Sequence, residues 1–221
     1  MLRQRISPGA IAYVTSVSEG NLGDHVGDDP VAVAHRRDLL SARVGAIAWM
    51  SQVHGTDVLV ADAPGDCGTA DGLIAVDPGI SPAVLTADCV PLLLANESGG
   101  VRAAIHVGRR GLISGIVPRA VRRLRTLTSE PLYALIGPSI CGGCYEVSDE
   151  LAREAETVRA AAVTRWGTPS IDVPAGVKAQ LGEIAVAESG VCTLESNEYF
   201  SYRRHADTGR FASIAVADTP K

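Results

Sequence analysis

Aromatic residues are scarce in this 221-residue sequence: two Trp, five Tyr and two Phe make up only 4% of it. The chain is nonetheless 46% hydrophobic, so its core must be assembled from Ala, Val, Leu and Ile rather than from large rings. There is no surplus of positive charge. Twenty Lys and Arg face 25 Asp and Glu, a formal net charge of -5, which excludes a general pull toward nucleic acid or an anionic membrane. No apolar run approaches the roughly 20 residues of a membrane-spanning helix. The opening Met-Leu-Arg-Gln-Arg-Ile-Ser-Pro lacks the apolar stretch of an export signal, and a cytoplasmic location is expected. Five cysteines, an odd number, then read as reduced thiols. Phosphate-binding Gly-x4-Gly-Lys, Gly-x-Ser-x-Gly, His-Glu-x-x-His and Gly-x-Gly-x-x-Gly are all missing, which removes the commonest nucleotide, esterase and metalloprotease signatures.

What is present is a set of short apolar runs punctuated by Gly, Pro and Asp. Asp29-Pro30 predicts a helix start, with the helix running to about Arg43. Val44 to Val60 reads as strand, turn and strand with His54-Gly55 near a strand end, and residues 61–72 as a loop. Ala83–Ala87, Val90–Ala95 and Val101–His106 read as short buried strands. Leu112, Ile113, Ile116, Val117, Ala120, Val121 and Leu124 recur at helical spacing. Leu132–Ile136 reads as a strand, Asp149–Val163 as a helix capped by Ser148, Asp172–Ala187 as another helix, and Phe211–Ala217 as a closing strand. Strands and helices mix without strict alternation and no linker interrupts them, so the expectation is one α+β domain over residues 1–221.

Three phrases carry chemistry: Ser-Gln-Val-His54-Gly, Thr-Ala-Asp88-Cys89-Val-Pro and Ala-Ile-His106-Val-Gly. One thiolate and two imidazoles are a natural ligand set for zinc, and three protein ligands leave a fourth position open, the pattern of a catalytic site. The three are far apart in sequence, so spacing alone does not select them. Cys141-Gly-Gly-Cys144 has the spacing of a redox dithiol or a zinc knuckle, but it follows Gly-Pro-Ser-Ile and no second Cys-x-x-Cys exists; a tight turn of small residues is the plainer reading. Arg203-Arg204 could clamp an anion or form a basic surface turn.

Taken together, the phrases resemble one family, the YfiH-type purine nucleoside phosphorylases, also called the laccase-domain or multicopper polyphenol oxidase family. The resemblance rests on Asn21-Leu-Gly-Asp-His-Val-Gly-Asp-Asp-Pro30, Gln52-Val-His-Gly55, Ala70-Asp-Gly-Leu-Ile74, Leu85-Thr-Ala-Asp-Cys-Val-Pro-Leu-Leu-Leu94 and Ala104-Ile-His-Val-Gly108. It continues through Gly137-Pro-Ser-Ile-Cys-Gly-Gly-Cys-Tyr-Glu-Val147, Cys192-Thr193 and Phe200-Ser-Tyr-Arg-Arg204, in family order over nearly the whole chain. Where the family carries Trp-Arg-Gly, this chain has Arg109-Arg110-Gly111.

The resemblance implies a sandwich of mixed sheets flanked by helices, and zinc held by His54, Cys89 and His106. Copper is the weaker choice of metal, since a multicopper site needs many His, usually in His-x-His pairs, and this chain has five His and no such pair. The implied activity is phosphorolysis of adenosine, inosine and methylthioadenosine, with adenosine deamination alongside. Purine nucleosides and phosphate are the expected partners, and no motif fixes an oligomeric state. Asp88, beside Cys89, is the candidate proton shuttle, or else caps a turn or orients a ligand. Gln52 belongs to the implied substrate site, and Arg36, Arg110, Arg203 and Arg204 are the candidates for phosphate contact. Two further readings stay open: a cysteine hydrolase with Cys89 as nucleophile and His106 as base, and a zinc-binding scaffold without turnover.

Overall fold

The structure is a computed structural model that describes residues 1–218; residues 219–221 of the expected domain lie outside them. A hairpin of β1 (Leu2–Ser7) and β2 (Ala10–Val14) leads to helix α1 (Pro30–Val44). Then come β3 (Ala46–Ser51), β4 (Val58–Ala61), β5 (Gly65–Thr69), β6 (Gly72–Ala75), β7 (Ile80–Thr86), β8 (Val90–Asn96) and β9 (Arg102–Val107). Helices α2 (Arg109–Ile113) and α3 (Ile116–Arg125) precede β10 (Leu132–Ile136) and α4 (Asp149–Glu156). The short β11 (Ala161–Val163) and β12 (Pro169–Ile171) pair with each other, and α5 (Val173–Leu181), β13 (Ala185–Glu188) and β14 (Phe211–Ala217) complete the chain.

Two six-stranded mixed sheets form the sandwich, in the orders β1-β2-β14-β7-β3-β5 and β13-β10-β8-β9-β6-β4. Between them lies a layer of small and medium side chains: Ala10, Ala12, Ala48, Val84 and Ala215 from one sheet, Leu73, Ala75, Leu93, Ala95 and Ala104 from the other. Alternate residues of the same strands, such as Ile74, Leu92, Leu94 and Ile105, turn outward to Leu112, Ile116, Ala120 and Val177 of α2, α3 and α5. On the opposite outer face, Leu40 and Val44 of α1 cover Ile47, Trp49, Leu85 and Ile214. A strand buried on both faces reads as a continuous apolar run, which is how β7, β8 and β9 look in the sequence. The α+β sandwich of mixed sheets flanked by helices is therefore what the chain forms. No helix among the described residues is long and apolar enough to cross a membrane.

From β3 to β8 the chain alternates between sheets, and the direction of the strands decides where the crossings fall. Strand β3 runs parallel to both β5 and β7, so all three end at the same edge of the sandwich. The connections leaving them, residues 52–57, 70–71 and 87–89, emerge there side by side. Strand β9 runs antiparallel to β6 and β8, so its C-terminal end arrives at that edge too.

Several local expectations are corrected. Residues 65–69, expected within a loop, form edge strand β5 on β3. The helical pattern from Leu112 to Leu124 is broken at Gly115, whose φ of 84° is left-handed and stops α2. The expected helix over 149–163 ends at Glu156, because Ala161–Val163 pairs with β12. The expected helix over 172–187 ends at Leu181, and Ala185–Glu188 joins β10 as a parallel edge strand. Both caps hold: Asp29 accepts from the Val31 amide and Ser148 from the Leu151 amide.

Candidate functional site

His54 sits on the first crossing, Cys89 on the last, and His106 near the end of β9. Their donor atoms all lie within 4.8 Å of one another. Cys89 Sγ is 3.8 Å from His54 Nε2, and the two imidazoles meet edge to face with ring centroids 4.6 Å apart. His106 is 3% exposed. Two of the three non-glycine residues with left-handed backbone among those described are here, His54 with φ 60° and Asp88 with φ 88°. Such backbone costs roughly 1–3 kcal/mol and persists only where the surroundings enforce it.

At His54 the enforcing is done by Asp71, on the middle crossing. Its Oδ1 accepts from His106 Nδ1 at 2.8 Å and from the His54 amide at 2.9 Å. Its Oδ2 accepts from the amides of Gly55 at 2.6 Å and Val53 at 3.3 Å. Burial would raise the Asp71 carboxyl, but the His106 ring and these amides outweigh it and hold it below its usual range. The bond to Nδ1 leaves His106 Nε2 to face the cluster, the arrangement that orients a metal-bound imidazole. Gly108 makes the close approach workable: a Cβ there would lie 2.7 Å from His54 Cδ2 and 3.2 Å from Cys89 Sγ. These residues fit a zinc-type ion in donor chemistry, proximity and orientation.

Charge reinforces the cluster. Burial alone would raise the Cys89 thiol, yet the adjacent His106 and His54 imidazoles bring it down to about 6. Burial would likewise lower His106, but the Cys89 thiolate and the Asp71 carboxylate bring it up to about 9. The metal-free pair is thus a thiolate beside an imidazolium.

A cavity of about 320 Å³ opens over the cluster. Its apolar wall includes Leu85, Ile140 and Val173, its aromatic faces are Tyr145 and Tyr202, and its cations are Arg109, Arg203 and Arg210. The Arg203 guanidinium stacks 4.8 Å from the Tyr145 ring centroid. Arg109 pairs with Glu154 at 3.2 Å.

The other expected site residues are placed as follows. Gln52 lines the cavity, but its amide is spent pinning β7: Nε2 donates to Leu85 O at 2.7 Å and Oε1 accepts from Leu85 N at 2.8 Å. Asp88 also lines it, its Oδ1 accepting from Thr193 Oγ1 and its Oδ2 from the Arg203 amide, each at 2.7 Å. Arg36 is brought to a separate cleft, where it pairs with Asp28 at 2.6 Å. Arg110 is exposed on α2 and outside the cavity lining. Arg204 points away, donating to the carbonyls of Thr193, Leu194 and Ser196. The expected set of site residues omits Asp71, Arg109, Tyr145, Tyr202 and Arg210, although Asp71, Tyr145 and Tyr202 lie inside the phrases that carry the resemblance.

Thiolate and imidazole donors gathered where two mixed sheets exchange strands, beneath a cavity rimmed with arginines, define a candidate metal-dependent enzyme of the α+β sandwich class. Comparison with known proteins gives the particular group. The chain belongs to the family described as multi-copper polyphenol oxidoreductase laccase, which it matches over residues 10–218. A relative from Streptomyces coelicolor named purine nucleoside phosphorylase is 49% identical over 214 residues, covering 90% of this chain and 88% of the relative. One of the same name from Mycobacterium tuberculosis is 42% identical over 207 residues, covering 88% and 83%. Among solved structures, a Neisseria meningitidis protein superposes with a TM-score of 0.83 at 30% identity over 99% of both chains. YlmD from Geobacillus stearothermophilus gives 0.85 at 27% identity over 96% of this chain and 93% of that one.

Proposed function

We propose that this chain is a zinc-dependent purine nucleoside phosphorylase that acts on adenosine, inosine and methylthioadenosine and also deaminates adenosine. The observation that carries the reading is the opening of the His54–Cys89–His106 cluster into a cavity with three arginines, in a chain whose relatives bear the phosphorylase name. Zinc held by those three residues would supply Lewis-acid charge beside the cavity.

The chain's own residues do the rest. Phosphorolysis joins a phosphate oxygen to C1′ of the ribose as the C1′–N bond breaks, and the departing base takes that electron pair and a proton. Arg203 and Arg210, with Arg109, offset the phosphate charge and hold it in the cavity. Leu85, Ile140 and Val173 offer apolar surface for a purine, with Tyr202 as a stacking face. Asp88 is the proton carrier on the cavity wall, its carboxylate fixed by Thr193 and the Arg203 amide. The multicopper alternative is poorly served: of five His, only His54 and His106 join a cluster of potential ligands among the described residues.

One observation favours a second reading. Asp71, His106 and Cys89 form a carboxylate–imidazole–thiolate series, the order a cysteine hydrolase uses. The deciding experiment follows purified protein with adenosine, with and without phosphate. The phosphorylase reading expects adenine and ribose 1-phosphate only when phosphate is present, inosine from deamination, and loss of both zinc and turnover in Cys89→Ala. Full phosphorolysis by metal-free Cys89→Ala protein overturns it.

A further inference from the structure

A second cluster of soft donors lies outside this site. Cys141 Sγ, Cys144 Sγ, Cys192 Sγ and a Glu195 carboxylate oxygen all lie within 4.8 Å of one another. They come from two turns of the same build. In Cys141-Gly-Gly-Cys144 the Cys144 amide donates to Cys141 O at 2.9 Å and the Tyr145 amide to the same oxygen at 3.0 Å. In Cys192-Thr-Leu-Glu195 the Glu195 amide donates to Cys192 O at 3.2 Å and the Ser196 amide to it at 3.0 Å. The turns are laid against each other by a parallel bridge between Ser139 and Cys192.

Paired turns that each offer ligands at positions i and i+3 are the framework of a structural zinc site. Here the fourth donor is a carboxylate, which is why counting Cys-x-x-Cys pairs in the sequence finds only half of the cluster. Cys144 and Cys192 are buried, and no disulfide joins any of the cysteines. The Cys141 amide already donates to Cys192 Sγ at 3.4 Å, the kind of N–H···S contact that stabilises a bound thiolate. Arg165 reaches both Glu195 and Cys141 Sγ, the latter at 3.9 Å. Three thiolates and a carboxylate around a divalent ion leave an excess of negative charge, and this guanidinium offsets part of it.

We propose that Cys141, Cys144, Cys192 and Glu195 form a second, structural site for a thiophilic divalent cation of the zinc type. Four protein ligands close the coordination sphere, so this ion takes no part in the reaction at the first site. Binding releases the thiol protons to solvent. Its role follows from its neighbours. Ile140 and Tyr145, which flank the first turn, line the cavity, and Thr193, on the second turn, holds Asp88. The ion would lock both turns and with them one wall of the cavity.

The test counts metal in the full-length reduced protein after zinc loading and removal of excess ion. Two zinc per chain are expected in the unaltered protein and one in Cys89→Ala. Cobalt loaded into Cys89→Ala should give the intense near-ultraviolet sulfur-to-metal band and visible bands of a tetrahedral thiolate site. The double variant Cys144→Ser, Cys192→Ser should keep one zinc and lose stability of the cavity wall, read as faster hydrogen exchange over residues 140–147 and 192–204. If that variant does not fold, the cobalt spectrum of Cys89→Ala still decides. Cys89→Ala protein that binds neither zinc nor cobalt, or a disulfide within the cluster mapped by mass spectrometry in the presence of reductant, overturns the proposal.

Discussion

Asp71 Oδ1 lies 2.8 Å from His106 Nδ1, and the same buried carboxylate accepts the amides of residues 53–55, the turn that carries His54. A single acid thus fixes one potential ligand through its ring and another through its backbone. An amide cannot replace it, because its NH2 would face donors.

Asp71→Asn is therefore expected to fold but to bind zinc at the first site about 10–100-fold more weakly, the usual effect of removing the partner of a ligating imidazole. Competition with a chromophoric chelator measures this. Unchanged affinity would mean that the carboxylate serves packing alone.

The pH response of metal-free protein follows from the Cys89–His106 pair. The folded Cys89 value, about 6, is below its ordinary 9.0, so its stabilising contribution is complete above 9.0 and lost as pH falls through about 6. The folded His106 value, about 9, is above its ordinary 6.5, so its contribution is complete below 6.5 and lost as pH rises through about 9. The ion pair is consequently populated between about 6 and about 9. Iodoacetamide labelling of Cys89, followed by mass spectrometry in metal-free protein, should rise with a midpoint near 6. Zinc should suppress it; equal labelling with zinc bound favours the hydrolase reading.

Arg203→Ala and Arg210→Ala should raise KM for phosphate about 10–100-fold with a much smaller effect on KM for nucleoside, since a charge-assisted hydrogen bond contributes ~1.5–3 kcal/mol. Arg36→Ala and Arg110→Ala, which lie outside the cavity lining, should leave phosphate KM within about twofold. Equal losses from all four variants would remove the phosphate assignment.

At Gly108 one methyl group is enough to test how tightly the cluster is packed. Gly108 has φ -81°, which alanine adopts freely, so Gly108→Ala acts through side-chain contact, first of all with His54 and Cys89. Displacing them costs roughly 1–3 kcal/mol, and zinc affinity should fall about tenfold or more. Thermal melts of the metal-free variant should drop by about 2–12 °C, the amount that cost implies for a domain of this size; a larger drop would locate the effect in folding instead.

Much of this architecture can be read from residue patterns, for identifiable reasons. Strands β7, β8 and β9 are buried on both faces and so appear as uninterrupted apolar runs, while Asp29-Pro30 and Ser148 announce helix starts through capping chemistry. Strand β5, Gly-Asp-Cys-Gly-Thr, has no apolar pattern to reveal it and exists because β3 offers an edge. The Ala-rich segments after Glu156 and Leu181 suit a helix locally, and pairing with β12 and β10 overrides that preference. At the site, donor type made His54, Cys89 and His106 candidates, since few residues offer soft or imidazole ligands, and the motif resemblance grouped them as one set. Asp71 escaped because its partners are 16 to 35 positions away and meet only where the crossings converge. The arginines show the limit most clearly: Arg109 lines the cavity and Arg110 does not, and a helix direction decides it, not a motif.

The first cluster also has a mechanical meaning. His54 hangs from a link running from one sheet to the other, Cys89 from a second such link, and His106 from a strand of the second sheet. A cation gripping all three would fasten the rim of the sandwich as a clasp fastens two covers. Pressure or chelation that opens this rim should then spread inward along the alanine layer, so that metal content becomes a gauge of how firmly the two halves of the protein stay closed.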